Sequence, residues 1–353
     1  MNNTIDRKKL STYNAILAIL VVLIHTDNTA IYTSLSDGSL LSSFAKGLEW
    51  LMSQNIASVA VPSFFMISGI LFYRDFTIDK YPKKLKSRFF SLIIPFLLWN
   101  LFRFLLFYCL GKLGITEKLF GAPRLLFTKE NFIDGIFFYK YNLGFWFMYQ
   151  LILFTLFAPV IRLLTKNKWV GIFAIISLIA LNASDILGEL FIVTLKKRFI
   201  LLDCAIYYIV GAYIGTHFFE FVNKKSKNTM IFSIIGVILG QVLNFTFAKT
   251  GFILFNTMSL IISVISFWYL YNSLNIKPFP ACITTITFFI YAGHGTILEF
   301  LQAAATSLFP DSAVIALVTY IAFPVITLGI LVAVSLILKK ISPKFWGLIN
   351  GAR

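Results

Sequence analysis

His25 stands near the end of LSTYNAILAILVVLIHTDN, residues 10 to 28, an apolar stretch of membrane length that follows Arg7, Lys8 and Lys9. A titratable imidazole inside a hydrocarbon span is costly, and such residues usually face a protein interior where they do a job. As a helix, the stretch puts Ser11, Asn14, Ala18 and His25 on one small, polar stripe, with Asn14 and His25 roughly 16 Å apart along it. That face can line a pore or cleft. An imidazole titrates close to neutral pH and can take a proton from an attacking group, which makes His25 the first candidate for a catalytic residue. The plainer reading is one hydrogen bond to a neighbouring helix. Asn14, and Asp27 two residues beyond the histidine, are carried as possible catalytic or acceptor-site residues.

A second group lies near the C-terminal end. Thr284, Thr287, Tyr291 and His294 follow a three, four, three spacing and share one helical face. Glu299 lies about 140° around the same helix from His294, so the two are not a local pair. Both are possible acceptor-site residues, with packing for His294 and an interfacial charge for Glu299 as the simpler alternatives. Arg103 and Asp203 also fall inside apolar runs, where pairing with an opposite charge is the better expectation. Gly211 and Gly215 form a small-xxx-small pattern, which brings helices close and does no chemistry. Between residues 74 and 88, Arg74, Lys80, Lys83, Lys84, Lys86 and Arg88 outnumber Asp75 and Asp79. Such a cluster can hold phosphate oxygens, or it can simply anchor the chain at the cytoplasmic face.

The elements that position these residues follow from composition. The 353 residues are 58% hydrophobic, 17% aromatic and 13% charged, with a mean hydropathy of +0.83. An ordinary soluble domain is excluded. We expect an all-α integral membrane protein, one domain over residues 1 to 353 built as a bundle of about ten transmembrane helices. They are placed near 10–31, 55–73, 89–110, 144–163, 169–186, 198–216, 229–248, 252–273, 281–301 and 312–338. The runs are continuously apolar, against the alternation of a β-barrel. Basic residues follow every even-numbered span, which puts both termini in the cytoplasm. Five basic residues between 112 and 140, together with Lys196, Lys197 and Arg198, run against that rule.

The net charge of +16 suits the basic rim of a bilayer protein, and no nucleic-acid motif accompanies it. Cys109, Cys204 and Cys282 lie inside expected spans without metal or disulfide spacing, and read as small buried hydrophobes. No internal repeat is visible. The stretch 111–142 has room for a short surface helix or a lid.

Six segments in order resemble the bacterial membrane-bound acyltransferase family 3. They are VVLIH (21–25), VPSFFMISGILF (61–72), the basic run into RFFSLIIPFLLW (88–99), GFWFMYQLILFTLFAPVI (144–161), YYIVGAYIG (207–215) and FFIYAGHGTI (288–297). The resemblance implies transfer of an acyl group, most often acetyl, from cytoplasmic acyl-CoA to a hydroxyl of a glycan or other acceptor. It implies no bound cofactor beyond that donor substrate, and it marks His25 as the essential histidine. Many members carry arginine where this chain has Asn14, and a second arginine shortly after the position of Arg88, where this chain has residues 89 to 92 without one. Donor binding then leans on Lys84, Lys86 and Arg88, or differs in detail. The expected partners are acyl-CoA, a polysaccharide or its precursor, the bilayer of the bacterial plasma membrane, and polysaccharide-assembly proteins. The competing reading is a transporter or flippase exporting such a polymer or a small solute; a membrane sensor without catalysis is the third.

Overall fold

The computed structural model describes residues 5–184, 201–247 and 252–351, and among these it is helical with no strand. In hydrocarbon every backbone N–H and C=O must be satisfied within its own segment, so apolar runs of this length become helices. In chain order they are α1 (Arg7–Ile24), α2 (Leu40–Glu49), α3 (Ala60–Tyr73), α4 (Tyr81–Arg88), α5 (Ile94–Lys112), α6 (Ile115–Phe120), α7 (Lys129–Phe137), α8 (Trp146–Leu156) and α9 (Ala158–Thr165). They continue as α10 (Lys168–Ala183), α11 (Leu202–His217), α12 (Lys227–Phe247), α13 (Ile253–Ser273), α14 (Ala281–Thr284), α15 (Thr287–Leu308), α16 (Ala313–Ile341) and α17 (Pro343–Ile349). Their starts follow ordinary capping chemistry: Ser39, Thr128, Asn167 and Ser312 accept backbone N–H groups with their side chains.

Among the described residues five helices are long and apolar enough to cross a membrane: Leu40–Tyr73, Ile78–Lys112, α12, α13 and α16. The α8–α9 pair, bent by 70° at Phe157, makes a sixth if it is one span. Ten spans were expected, and the described helices depart from the expected placements as follows. The second span begins at Leu40 and reaches Tyr73 through a π-helical turn at Trp50–Asn55 and a 3-10 turn at Ile56–Val59. The basic stretch, expected as a loop, is helical from Ile78 and runs on into α5 through a second π-helical turn at Phe89–Ile93. The ninth span is interrupted between α14 and α15, then extends to Leu308. Asp203 lies exposed in the first turn of α11. Cys204 is buried, but Cys109 and Cys282 are exposed, because each sits on the outward face of its helix. Lys196, Lys197 and Arg198 lie outside the described residues.

The chain divides into two compact units. The first comprises Met1–Leu17, Ser58–Ser87 and Gln150–Pro280. In it α11 packs closely against α3. A Cβ added to Gly211 would fall on the Met66 carbonyl, and one added to Gly215 on the Ile70 carbonyl, so the GAYIG pattern is a packing device as expected. Tyr13, fully buried, packs among Phe267, Trp268 and Tyr271. Along α12 a wall of Ile231, Phe232, Ile235 and Ile238 faces outward, a surface suited to lipid and not to water.

The second unit comprises Ala18–Ala57, Arg88–Tyr149 and Ala281–Arg353. The stretch between the third and fourth expected spans forms the short helices α6 and α7. α7 packs on α5 around Phe104, Leu125 and Ile136. α15 meets α16 where Gly293 leaves room for Leu331. Trp99 donates its indole N–H to the Ile349 carbonyl at 3.0 Å, which ties α5 to α17.

Candidate functional site

Within the second unit the end of α1 meets α15. His25 follows the last helical residue of α1 and its side chain is exposed, while His294 on α15 is buried, and their ring centres are 5.0 Å apart. The Nδ1 of His294 lies 2.7 Å from the Tyr291 carbonyl and 3.1 Å from that of Ile290. A carbonyl only accepts, so Nδ1 must be the protonated, donating nitrogen, and a neutral His294 ring keeps its lone pair on Nε2. The backbone turn below the histidine therefore fixes both its tautomer and its orientation. Gln302, two turns further along α15, donates to the His25 carbonyl at 3.5 Å.

A second station on α15 lies one turn beyond. Arg103 of α5 donates through Nε to the Tyr141 carbonyl at 3.0 Å, through Nη1 to Thr296 Oγ1 at 2.7 Å, and through Nη2 to Glu299. The Arg103 side chain is 7% exposed and that of Glu299 45%. All three faces of a buried guanidinium are thereby satisfied, as an ion in this setting requires. Arg103 thus finds the opposite charge expected for it. Glu299 is held by Arg103 and is not paired with His294.

The loop after α1 contains a cluster that the sequence reading missed. Glu49, fully buried at the end of α2, accepts the Asn28 backbone N–H at 2.7 Å. Asn28 donates its side-chain amide to the Ala316 carbonyl at 2.9 Å and to Thr319 Oγ1 at 3.0 Å. Ser53 reaches the Leu23 carbonyl at 2.6 Å and the Tyr320 hydroxyl at 2.9 Å. One oxygen of Glu49 and the amide oxygen of Asn28 stay buried without a partner. The available signal was the lone carboxylate of the stretch from Leu40 to Tyr73, hidden because the second span was expected to start at residue 55. Asp27 is engaged elsewhere: Oδ1 accepts from the N–H and hydroxyl of Thr29, and Oδ2 from Gln54.

The remaining candidates are placed as follows. Asn14 belongs to the first unit, half-buried, with Oδ1 lacking a partner. Lys84, Lys86 and Arg88 all lie on α4. Lys84 is committed within the protein, its Nζ donating to the Phe72 carbonyl at 2.7 Å and lying 4.9 Å above the Phe72 ring. Lys86 is exposed and Arg88 half-buried. Among the described residues no group of three His, Cys, Asp or Glu side chains could hold a metal ion.

A buried, tautomer-fixed imidazole facing an exposed one is an arrangement suited to moving a proton from a hydroxyl. A family model described as an acyltransferase domain matches residues 15–340. The chain is 24% identical over 332 residues to the succinoglycan biosynthesis protein ExoH of Rhizobium meliloti (strain 1021), an alignment covering 87% of this chain and 83% of that protein. No solved structure matches.

Proposed function

Because the chain belongs to acyltransferase family 3, we propose that it moves an acyl group, acetyl in the first instance, from cytoplasmic acyl-CoA to a hydroxyl of a polysaccharide or its precursor. The polysaccharide class rests on the name of the Rhizobium relative. His25 takes the proton of the acceptor hydroxyl as that oxygen attacks the thioester carbonyl. The new oxygen–carbon bond forms, the carbon–sulfur bond breaks, and the departing CoA thiolate receives the proton from His25. His294 is a positioning residue that faces His25 with a fixed ring. The observation that carries this reading is the 5.0 Å approach of the two imidazoles.

The setting we propose is the bacterial plasma membrane, with ten crossings and both termini in the cytoplasm. It is supported by the basic residues that follow alternate apolar stretches. The finished or growing polysaccharide would be met together with other proteins of its assembly.

The test is base-labile short-chain acid on surface glycan from cells expressing each variant at matched level. His25→Ala should cut ester content by roughly 100- to 10,000-fold, the usual worth of general-base catalysis. His294→Ala should cost less. Parental ester content in the His25→Ala strain would remove the assignment.

A further inference from the structure

The first unit holds two cavities that share Ile5 and Trp268 in their walls. One, of about 150 Å³, is walled by Leu10, Met66, Ile67, Ile214 and Val264 among others. That is the size that accommodates a six-carbon ring in a dry protein core. Two hydroxyls interrupt its apolar lining. Tyr13 and Ser63 are fully buried, and neither Tyr13 Oη nor Ser63 Oγ has a hydrogen-bond partner.

The other cavity, of about 210 Å³, is polar and lined by Asp6, Lys9, Asn223, Lys225 and Asn272. Asp6 is its single acid, and Asp6 Oδ1 already accepts the backbone N–H groups of Lys8 and Lys9. Among the described residues neither Lys9 nor Lys225 forms an ion pair. Lys9 Nζ reaches only the Asn272 carbonyl, at 3.5 Å. Asn272 itself is 4% exposed, and its side-chain Nδ2 is buried with no acceptor.

Two ammonium groups, Lys9 partly buried and Lys225 exposed, thus face Asp6 alone as their acid, and the buried Asn272 amide donor beside them has no acceptor, which costs free energy. The adjoining space is shaped for hydrocarbon and supplies hydroxyl donors. We infer that the two cavities form one binding site for a phosphate-bearing amphiphile. The phosphate lies among Lys9, Lys225 and Asn272, the first carbons of an aliphatic chain fill the apolar cavity, and an ester or thioester carbonyl accepts from Tyr13 or Ser63. Anionic phospholipids of the bilayer place phosphate and ester carbonyl this close together, while acyl thioesters of CoA carry the same two groups at the ends of a longer pantetheine arm. The site requires nothing of the histidine pair, so its failure and that of acyl transfer are separate results.

The experiment measures binding to the full-length protein in an uncharged detergent, with dioleoyl phosphatidylglycerol, palmitoyl-CoA and phosphate-free dioleoylglycerol as probes. One phosphate-bearing probe at least should bind about tenfold or more tighter than dioleoylglycerol, as two lysines facing an anion imply. The double variant Lys9→Gln/Lys225→Gln, altered at the polar end alone, should lose that preference. Ile67→Trp, which fills the apolar cavity, should weaken the same probe without restoring dioleoylglycerol. Preference for phosphatidylglycerol alone assigns the site to bilayer lipid, and preference for palmitoyl-CoA alone assigns it to the thioester. No preference for either phosphate-bearing probe, or an unchanged preference in the lysine double variant, overturns the proposal.

Discussion

His25 and His294 face each other at 5.0 Å, but only His294 is tethered through its own ring. Among the described residues the His25 ring makes no hydrogen bond. The division suits proton transfer, because the ring that meets the acceptor must turn to reach it while its neighbour holds the wall of the site. It also explains why the two substitutions are expected to differ in severity.

Arg103 and Glu299 separate a structural role from a chemical one. Arg103→Ala removes three bonds from a charged donor, each typically worth about 1.5 to 3 kcal/mol and not additive. It should lower the unfolding midpoint of the detergent-solubilised protein clearly. Glu299→Gln keeps an acceptor for Arg103, and Glu299 is nearly half exposed, so its stability cost should stay within about 1 kcal/mol. If Glu299→Gln abolishes ester formation while leaving the midpoint unchanged, Glu299 acts on the acceptor and is more than the anchor of Arg103.

Gly211→Ala should destabilise the first unit by about 1 to 3 kcal/mol, the range for overpacking, since the added methyl meets the Met66 backbone. Gly329→Ala, on α16 with open space at the same position, should be neutral or gain up to about 1 kcal/mol from helix propensity. Paired thermal unfolding curves decide it. Equal midpoints for the two variants would mean that α3 and α11 can move apart at little cost.

The residues of α4 should not act alike toward the donor. Lys86→Gln should weaken acyl-CoA binding at low salt and lose its effect as salt rises, because exposed charges are screened within about 10 Å at 0.1 M. Lys84→Gln removes the bond to the Phe72 carbonyl and should lower stability more than donor affinity. Binding isotherms at two ionic strengths, with melting curves for both variants, check this. Unchanged low-salt affinity in Lys86→Gln would show that the basic helix is only a topological anchor.

Helical class was legible from composition and the family from six ordered segments, while the two histidines stood out for a different reason. Polar groups in apolar spans are rare enough to stand out singly. Partners were not legible, because they are set by packing between distant segments: Glu299 lies 196 residues from Arg103, and Thr319 lies 291 from Asn28. Glu49 escaped notice through a boundary error, since a π-helical turn and a 3-10 turn carry one helix through what composition reads as its start. The commitment of Lys84 to Phe72 was equally invisible, for a cluster of lysines has the same composition whether its charges face solvent or its own backbone.

Each compact unit is assembled from three separate stretches of chain, and the second is complete only when residues 281 to 353 have been made. During synthesis His25, Glu49 and Arg103 therefore leave the ribosome long before His294, Thr296, Glu299 and Tyr320 exist to receive them. Early helices must wait in the bilayer with polar side chains unmet, a condition that recruits holding factors and invites degradation of stalled chains. A nascent protein truncated before α15 would carry every basic anchor of its first half and still have no site.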